Sequence, residues 1–273
     1  MTYVPVTFNS GDELPAASLT QLMTNIAALK DGSALNANII TAALLDVLTR
    51  GGWYATTEAW SYVSADGNTG VISIPSGGTT RYTPGMRIQL TQSTVKYFII
   101  TAVASTTLTV WGGTDYTLTS GAISAISYSP HKAPVGFPLD PDKWSVIVKD
   151  TADRSSASPS GWQNLGGISI TIPIGVWRVG YWVTQYPARA SGACSQFSTL
   201  SKANNTEDDK DFTAVVFSLA GSNIGVSHKE KILNLAAKTV HYLNATSTDG
   251  VSAIVFYGGS GGVTIVKAIC AYL

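Results

Sequence analysis

From Trp53 onward the sequence is written in period two. Short runs rich in Val, Ile, Thr and aromatic residues are separated by Gly, Pro, Asn and Asp, the pattern of half-buried strands joined by tight turns. This spacing predicts strands near 59–64, 70–74, 86–92, 95–103, 106–111 and 122–128. Turn signals stand at Asp66-Gly67-Asn68, Ser76-Gly77-Gly78, Pro84-Gly85 and Gly112-Gly113. Only seven charged residues fall between 53 and 138, so this stretch reads as a small antiparallel β-barrel or sandwich. Four prolines in 129–141 mark a stiff, extended connector. Beyond it, strands are predicted at 144–148, 167–172, 177–185, 194–200, 212–218, 228–235, 239–245, 251–257 and 263–272, a β-sandwich of jelly-roll type. The fold class is therefore mainly β, behind a short helical N-terminal segment. The predicted units are 1–52, 53–138 and 139–273.

The one strong helical pattern lies in LPAASLTQLMTNIAALKDG. Leu19, Leu22, Ile26 and Leu29 are spaced three, four and three apart, the seam of a two-heptad coiled coil. Pro15 suits its first turn and Gly32 its stop. An isolated helix of about 15 residues is marginal in water, so the seam must bury against its own domain or against sister copies. Residues 33–50 carry a second broad apolar face closed by Gly51-Gly52. At the other end, VTIVKAICAYL is apolar on both faces apart from Lys267. One face is expected in the core and the other, with Ile265 and Ile269, against neighbouring subunits or a covering loop of the same chain.

Composition narrows the function classes. Lys plus Arg and Asp plus Glu are 17 each, so the net charge is zero, which removes the basic footprint of a nucleic-acid binder or a polybasic membrane-surface protein. Charged residues are 12% of the chain against a usual share of about 25%. A neutral, sparsely charged surface favours self-association. The longest apolar runs are under ten residues, too short to span a bilayer. MTYVPVTFNS has neither a basic n-region nor an apolar h-region, which predicts no secretory signal. Cys194 and Cys270 are too few for a disulfide scaffold or a cysteine-based zinc site.

No catalytic constellation emerges. His131 lies in the proline-rich connector, and His228 and His241 sit in strand patterns with no ligand-spaced neighbour. Gly258-Gly259-Ser260-Gly261-Gly262 has no following Lys or helix and reads as a hairpin loop, not a phosphate cradle. The acidic run Glu207-Asp208-Asp209-Lys210-Asp211 reads as a solvated loop, with a cation site as the alternative. No catalytic residue, metal ligand or cofactor is assigned. Trp177, Tyr181 and Trp182 fall within a strand and are explained by core or interface packing. Trp162, Tyr186 and Tyr257 stand nearer to predicted loops of the C-terminal sandwich, where flat aromatic faces beside polar groups can stack on sugar rings.

Two stretches carry a resemblance. VTFNSGDELPAASLTQLMTNIAALKDG resembles the N-terminal segment of many tailed-bacteriophage structural proteins, in which a short strand, a polar turn and a heptad helix precede β domains. The ordered string Trp60-Ser61-Tyr62, Tyr82 through Arg87, Lys96-Tyr97-Phe98, Gly112 through Leu118 and Pro134 through Pro138 is similar to a β module of phage minor structural and tail proteins, over about a third of the chain. The C-terminal sandwich resembles the trimeric heads of phage receptor-binding proteins and complement-like or tumour-necrosis-factor-like jelly rolls. The resemblance implies a non-enzymatic virion protein of the tail tip, baseplate or fibre. It would be a homotrimer, made in the host cytoplasm without a secretion signal. Residues 1–52 would bind other virion proteins, and the head would bind host-surface glycan. Two alternatives are a capsid fibre or decoration protein without host binding, and a tail-associated glycan hydrolase.

Overall fold

Strict alternation sorts the side chains of each strand between two faces, and here it builds three antiparallel sheets. The computed structural model describes residues 20, 22–26, 51–157, 161–188, 192–218, 224–248, 252–259 and 262–273. The first sheet takes β1 (Tyr54–Ala55), β2 (Ser61–Asp66), β3 (Thr69–Ser73), β4 (Arg87–Gln92), β5 (Thr94–Val103), β6 (Thr107–Trp111) and β7 (Ser124–Ser129) in the order β1-β7-β4-β5-β6-β3-β2. Its inner face gathers Ile72, Ile88, Leu90, Phe98, Ile100, Leu108 and Val110 into one core. Glu58 plugs the polar end of that core by accepting from Trp60 Nε1 at 3.0 Å and from the Tyr82 hydroxyl at 2.9 Å. The sheet does not close on itself, because β1 and β2 lie at opposite ends of the strand order. Of the two forms expected for this stretch, the barrel is absent; an open sheet stands in its place, and Ile99 and Trp111 on its other face pack into the next unit.

That unit begins with β8 (Ser145–Asp150) and β9 (Arg154–Ala157) and continues through β10 (Gln163–Ile172), β11 (Gly175–Ala188), β12 (Cys194–Ser201), β13 (Ala214–Ser218), β14 (Gly225–Leu235), β15 (Thr239–Ser247), β16 (Ala253–Tyr257) and β17 (Thr264–Cys270). The long β11 pairs with β14 along one edge. Along its other edge it pairs first with β17, at residues 177–182, and then with β16, at 184–188. β8 flanks β17 and β9 flanks β16. Thus β8 with β9, and β16 with β17, are single rows interrupted midway. Gly258 and Gly259 stand in one of these interruptions, and β16 and β17 both pair with the same edge of β11 instead of pairing with each other as a hairpin. Counting rows in chain order among the described residues, one sheet runs sixth, third, eighth, first, and the other (β10-β15-β12-β13) runs second, seventh, fourth, fifth. This is the wrapped strand order of a jelly roll.

Between the two sheets Trp177, Val179, Tyr181, Val183, Leu200, Leu243, Phe256, Val266 and Ala268 are buried together. Tyr181 crosses the sandwich and donates its hydroxyl to the carbonyls of Ser198 and Phe212, each at 2.8 Å. Burial pushes its pKa up to about 12. The same core takes in Ile99 and Trp111 from the first sheet, Trp53 just before it, Phe137 from the connector and Trp144 just before β8. The connector is therefore packed and not simply extended. Phe137 stacks on Trp144 with centroids 4.9 Å apart, and Trp144 Nε1 donates to the Pro138 carbonyl at 2.6 Å.

Arg87 lies at the centre of this junction, fully buried, and among the described residues no carboxylate pairs with it. Its Nε donates to the Lys132 carbonyl at 3.1 Å, Nη2 to the Tyr272 carbonyl at 2.9 Å and Nη1 to the Gly85 carbonyl. Its guanidinium lies 5.0 Å from the Phe137 ring centroid. Gly85 makes this approach possible: its φ is +95°, and a Cβ there would sit 3.1 Å from the Tyr272 ring. Cys194 and Cys270 are both buried free thiols, and burial pushes the Cys270 thiol up to about 11.

Two outcomes follow from this packing. Replacing Arg87 by Met removes the fork and strands three buried carbonyls. Urea unfolding is expected to show a loss of about 3 kcal/mol, and an unchanged midpoint would remove the stapling role. His241 on β15 is buried, and burial holds its pKa below the ordinary imidazole value. The unfolded chain therefore takes up a proton that the folded chain refuses, and stability falls as pH drops below about 6.5. Carboxylates held low by partners, Asp209 by Lys231 and Asp150 by Arg154, keep their contribution until about pH 4. Unfolding midpoints between these two pH values should slope in the parent protein and flatten in His241→Gln.

Candidate functional site

The parity of β11 decides what the jelly roll shows to its surroundings. Trp177, Val179, Tyr181 and Val183 point inward, so Arg178, Trp182, Thr184 and Tyr186 point out. On β14 the outward set is Val226, His228, Glu230 and Ile232. On β16 and β17 it is Val255, Tyr257, Ile265, Lys267 and Ile269. Cross-strand register then assembles an aromatic strip. Trp182 faces His228 across the ladder, and their rings stack at 4.4 Å and 14°. Tyr257 faces Thr184, and its ring meets that of Tyr186 at 5.8 Å and 62°. His228 is exposed, while Trp182, Tyr186 and Tyr257 are half-buried.

The end of the strip that carries Tyr257 is held from both sides. Gly258 and Gly259 donate their N–H groups to Asp153 Oδ1 at 2.9 and 3.0 Å, which holds that carboxyl below the usual carboxylate range. Gly258 lies so close to the Ala152 backbone that a Cβ would stand 2.2 Å from its carbonyl oxygen. Across the sandwich, Gln196 Nε2 donates to the Val255 carbonyl at 3.2 Å. Hydrogen bonds thus hold the backbone on either side of Tyr257, and Tyr186 pairs with Val255 across the ladder.

Aliphatic groups continue the face. Ile265 faces Trp182, while Ile269 and Ile232 flank Arg178 on either side. Ile232 is 65% exposed and Val226 68%. Ile232, Ile269 and Leu273 wall a cavity of about 270 Å³ beside Arg178 and Pro141. Charges are few and mostly matched, with Arg178 at 3.7 Å from Glu230 and Lys267 at 2.7 Å from Asp142. In the last strand, the face bearing Val266, Ala268 and Cys270 fills the core, while Ile265 and Ile269 are half-buried.

The residues singled out from sequence are thus partly united. Tyr186 and Tyr257 meet, and Ile265 and Ile269 share their face. Trp162 leads into β10 of the opposite sheet and is not in the strip. Trp182 was read from sequence as core or interface packing and His228 as a strand histidine, neither as a sugar contact, although the parity of β11 separates Trp182 from its core neighbours. Leu22 and Ile26 lie in a helical stretch and are 40% and 55% exposed, whereas Leu19 and Leu29 lie outside the described residues.

The acidic loop is already committed. Lys231 Nζ bonds Asp209 at 2.7 Å and Asp211 at 3.1 Å, Asp208 accepts from the Lys202 N–H at 2.8 Å, and Glu207 accepts from Thr213. Among the described residues no group of three or more His, Cys, Asp or Glu is arranged to hold a metal ion, and no helix is long and apolar enough to cross a membrane. The outward face can do two things chemically: stack on the apolar face of a ring, or bury against another protein surface.

No known family model matches the chain, and no curated protein matches it in sequence. Solved structures show distant likenesses. Dimeric latent PorU from Porphyromonas gingivalis aligns at 10% identity and a TM-score of 0.27, over 78% of this chain and 24% of that one. A structure of infectious bursal disease virus, Gt strain, aligns at 16% identity and a TM-score of 0.27, over 80% and 62%. The N-terminal CBM22-1–CBM22-2 tandem domain of Paenibacillus barcinonensis Xyn10C aligns at 11% identity and a TM-score of 0.21, over 80% and 94%. The chain thus spans less than two thirds of the first two, and likenesses this distant carry no argument about function.

Proposed function

We propose that this chain is a non-enzymatic structural protein of a bacteriophage virion, placed at the tail tip, baseplate or fibre, which self-associates as a homotrimer and attaches to host-surface glycan. The observation that carries the reading is the outward face of β14, β11, β16 and β17. It presents Trp182, His228, Tyr186 and Tyr257 beside exposed Val226 and Ile232, on a sheet whose inner face is already filled. The aromatic end suits stacking on sugar rings. The aliphatic end, with Ile265 and Ile269, suits burial against sister copies. Leu22 and Ile26 supply the described part of the helical seam, and residues 1–52 would dock the trimer on other virion proteins. Repetition about a threefold axis converts weak single-site glycan binding into avid attachment.

Three measurements test this reading. Mass in solution should be about three times 28.6 kDa, and Leu22→Asp with Ile26→Asp should lower it; a monomer at micromolar concentration removes the trimer. Adsorption to a panel of bacterial cell walls should weaken at least about tenfold in the Tyr186→Ala, Tyr257→Ala double variant, with mass unchanged. Adsorption by neither protein would favour a decoration protein that uses the whole face for its own copies.

A further inference from the structure

Exposed apolar side chains gather at one corner of the jelly roll. Among its described residues six large apolar side chains are exposed. Five of them, Val215, Phe217, Ile224, Val226 and Ile232, lie on β13, on β14 or on the residue leading into β14, and the sixth is Val263. The corner is the long side of the sandwich where both sheets end. β13 closes the strand order of one sheet, and β14 borders β11 at the margin of the other. The two strands meet there, because a Cβ on Gly225 would stand 2.6 Å from Val216 Cγ1.

Parity divides the apolar set between the two outer faces. On β13 Val216 points inward, so Val215 and Phe217 point out of the four-stranded sheet. Across the ladder Val215 faces Phe197, which is half-buried. On β14 Ser227 points inward, so Val226 points out of the opposite sheet, on the row that also carries Ile232. The corner is therefore a ridge with an apolar flank on each side, and exposed apolar groups gathered in this way mark a protein interaction surface.

The charges are arranged to permit burial. β10, β12, β13 and β15 carry no Asp, Glu, Lys or Arg at any position. Depletion of charge with aromatic residues present is the composition of an interface core. Strands at a sheet margin are commonly blunted by Lys, Pro or a bulge, yet β13 reads Ala-Val-Val-Phe-Ser and pairs with β12 in unbroken register. On β14 two of the three central charges are matched within the chain, Glu230 by Arg178 at 3.7 Å and Lys231 by Asp209 at 2.7 Å and Asp211 at 3.1 Å. An ion that is already paired does not become an unpartnered charge when a neighbour covers it.

A ridge encloses no small molecule and needs a protein surface on each flank. The chain itself supplies both surfaces. The Val215–Phe217 flank of one copy and the Ile224–Val226 flank of another are apolar and stand at the same height of the sandwich, since Gly225 abuts Val216. Zero net charge adds no repulsion between copies. The two flanks face different ways, so the contact is head-to-tail, and head-to-tail contacts close into a ring. We propose that copies of this chain assemble about a threefold axis with their β13–β14 ridges turned toward it, Val215 and Phe217 of each packing on Ile224 and Val226 of the next. The number three rests on the trimer reading above, while the ridge itself does not.

The first measurement is sedimentation of the full chain and of the Phe217→Lys, Val226→Lys double variant. Both positions are exposed, so the variant should keep the circular dichroism spectrum of the parent. Its assembly should dissociate at a concentration at least about a hundredfold higher. A variant that stays trimeric over the parent's range overturns the ridge and leaves the trimer standing. A parent that is monomeric at micromolar concentration overturns both. Cross-linking tests the direction and serves equally if the double variant fails to fold. Cys194 and Cys270 are buried, so introduced surface thiols react first. Phe217→Cys and Val226→Cys chains, co-expressed and oxidised, should form a disulfide-linked dimer that neither forms alone. Linking by Phe217→Cys alone means a twofold contact and overturns the ring, as does a mixture that does not link.

Discussion

A buried cation held by backbone carbonyls sets the relation between the two halves of the molecule. Arg87 gives up water and receives three carbonyl oxygens and an aromatic face in exchange. Each carbonyl comes from a different place: the turn before β4, the connector, and the segment after β17. A guanidinium is planar and its donors form a rigid fork, so the three segments can satisfy it in essentially one arrangement. Around it, Phe137, Trp144, Trp53 and Ile99 fill the space with apolar surface that neither half could bury alone. The outward face of the jelly roll inherits its position relative to the first sheet from this junction.

The outward face follows from a different constraint. A strand as long as β11 must show its alternate residues to something on each side. Its inward set fills the sandwich. Its outward set would ordinarily be Ser, Thr and Lys in an antiparallel sheet with one wet face. Here it holds Trp182 and Tyr186, and the neighbouring rows add Ile265, Ile269, Tyr257, Val226 and Ile232. Apolar groups gathered on one face mark an interaction surface more than isolated ones do.

Much of the strand content was legible in the sequence, because alternation is local. The runs at 86–92, 95–103 and 239–245 differ from β4, β5 and β15 by at most two residues at an end. The short β1 and β9 escaped, since two residues of Tyr-Ala and four of Arg-Ser-Ser-Ala carry no alternation to detect. Closure of the first sheet was not legible: whether end strands meet depends on twist and on what covers the outer face, and neither is a local property. The glycine-rich segment misled for a similar reason, because a break in one row and a hairpin between two use the same residues. The site was half legible. Tyr186 and Tyr257 stood out by their positions near loops, but their meeting depends on the register of β11 against β16, which only the folded chain sets. The parity that places Trp182 outward was present in the sequence, yet its pairing with His228 across β14 was not.

The side-by-side breaks in two neighbouring rows have a mechanical consequence. Between Asp150 and Arg154, and between Tyr257 and Thr264, the ladder lapses at the same height of the sheet. At that level β11 and β14 are, among the described residues, the strands still joined by backbone hydrogen bonds. The sheet therefore has a crease, with the arginine-anchored end on one side and the paired tyrosines on the other. A tensile load applied to the tyrosine end would be concentrated along that line before it reached the anchored end.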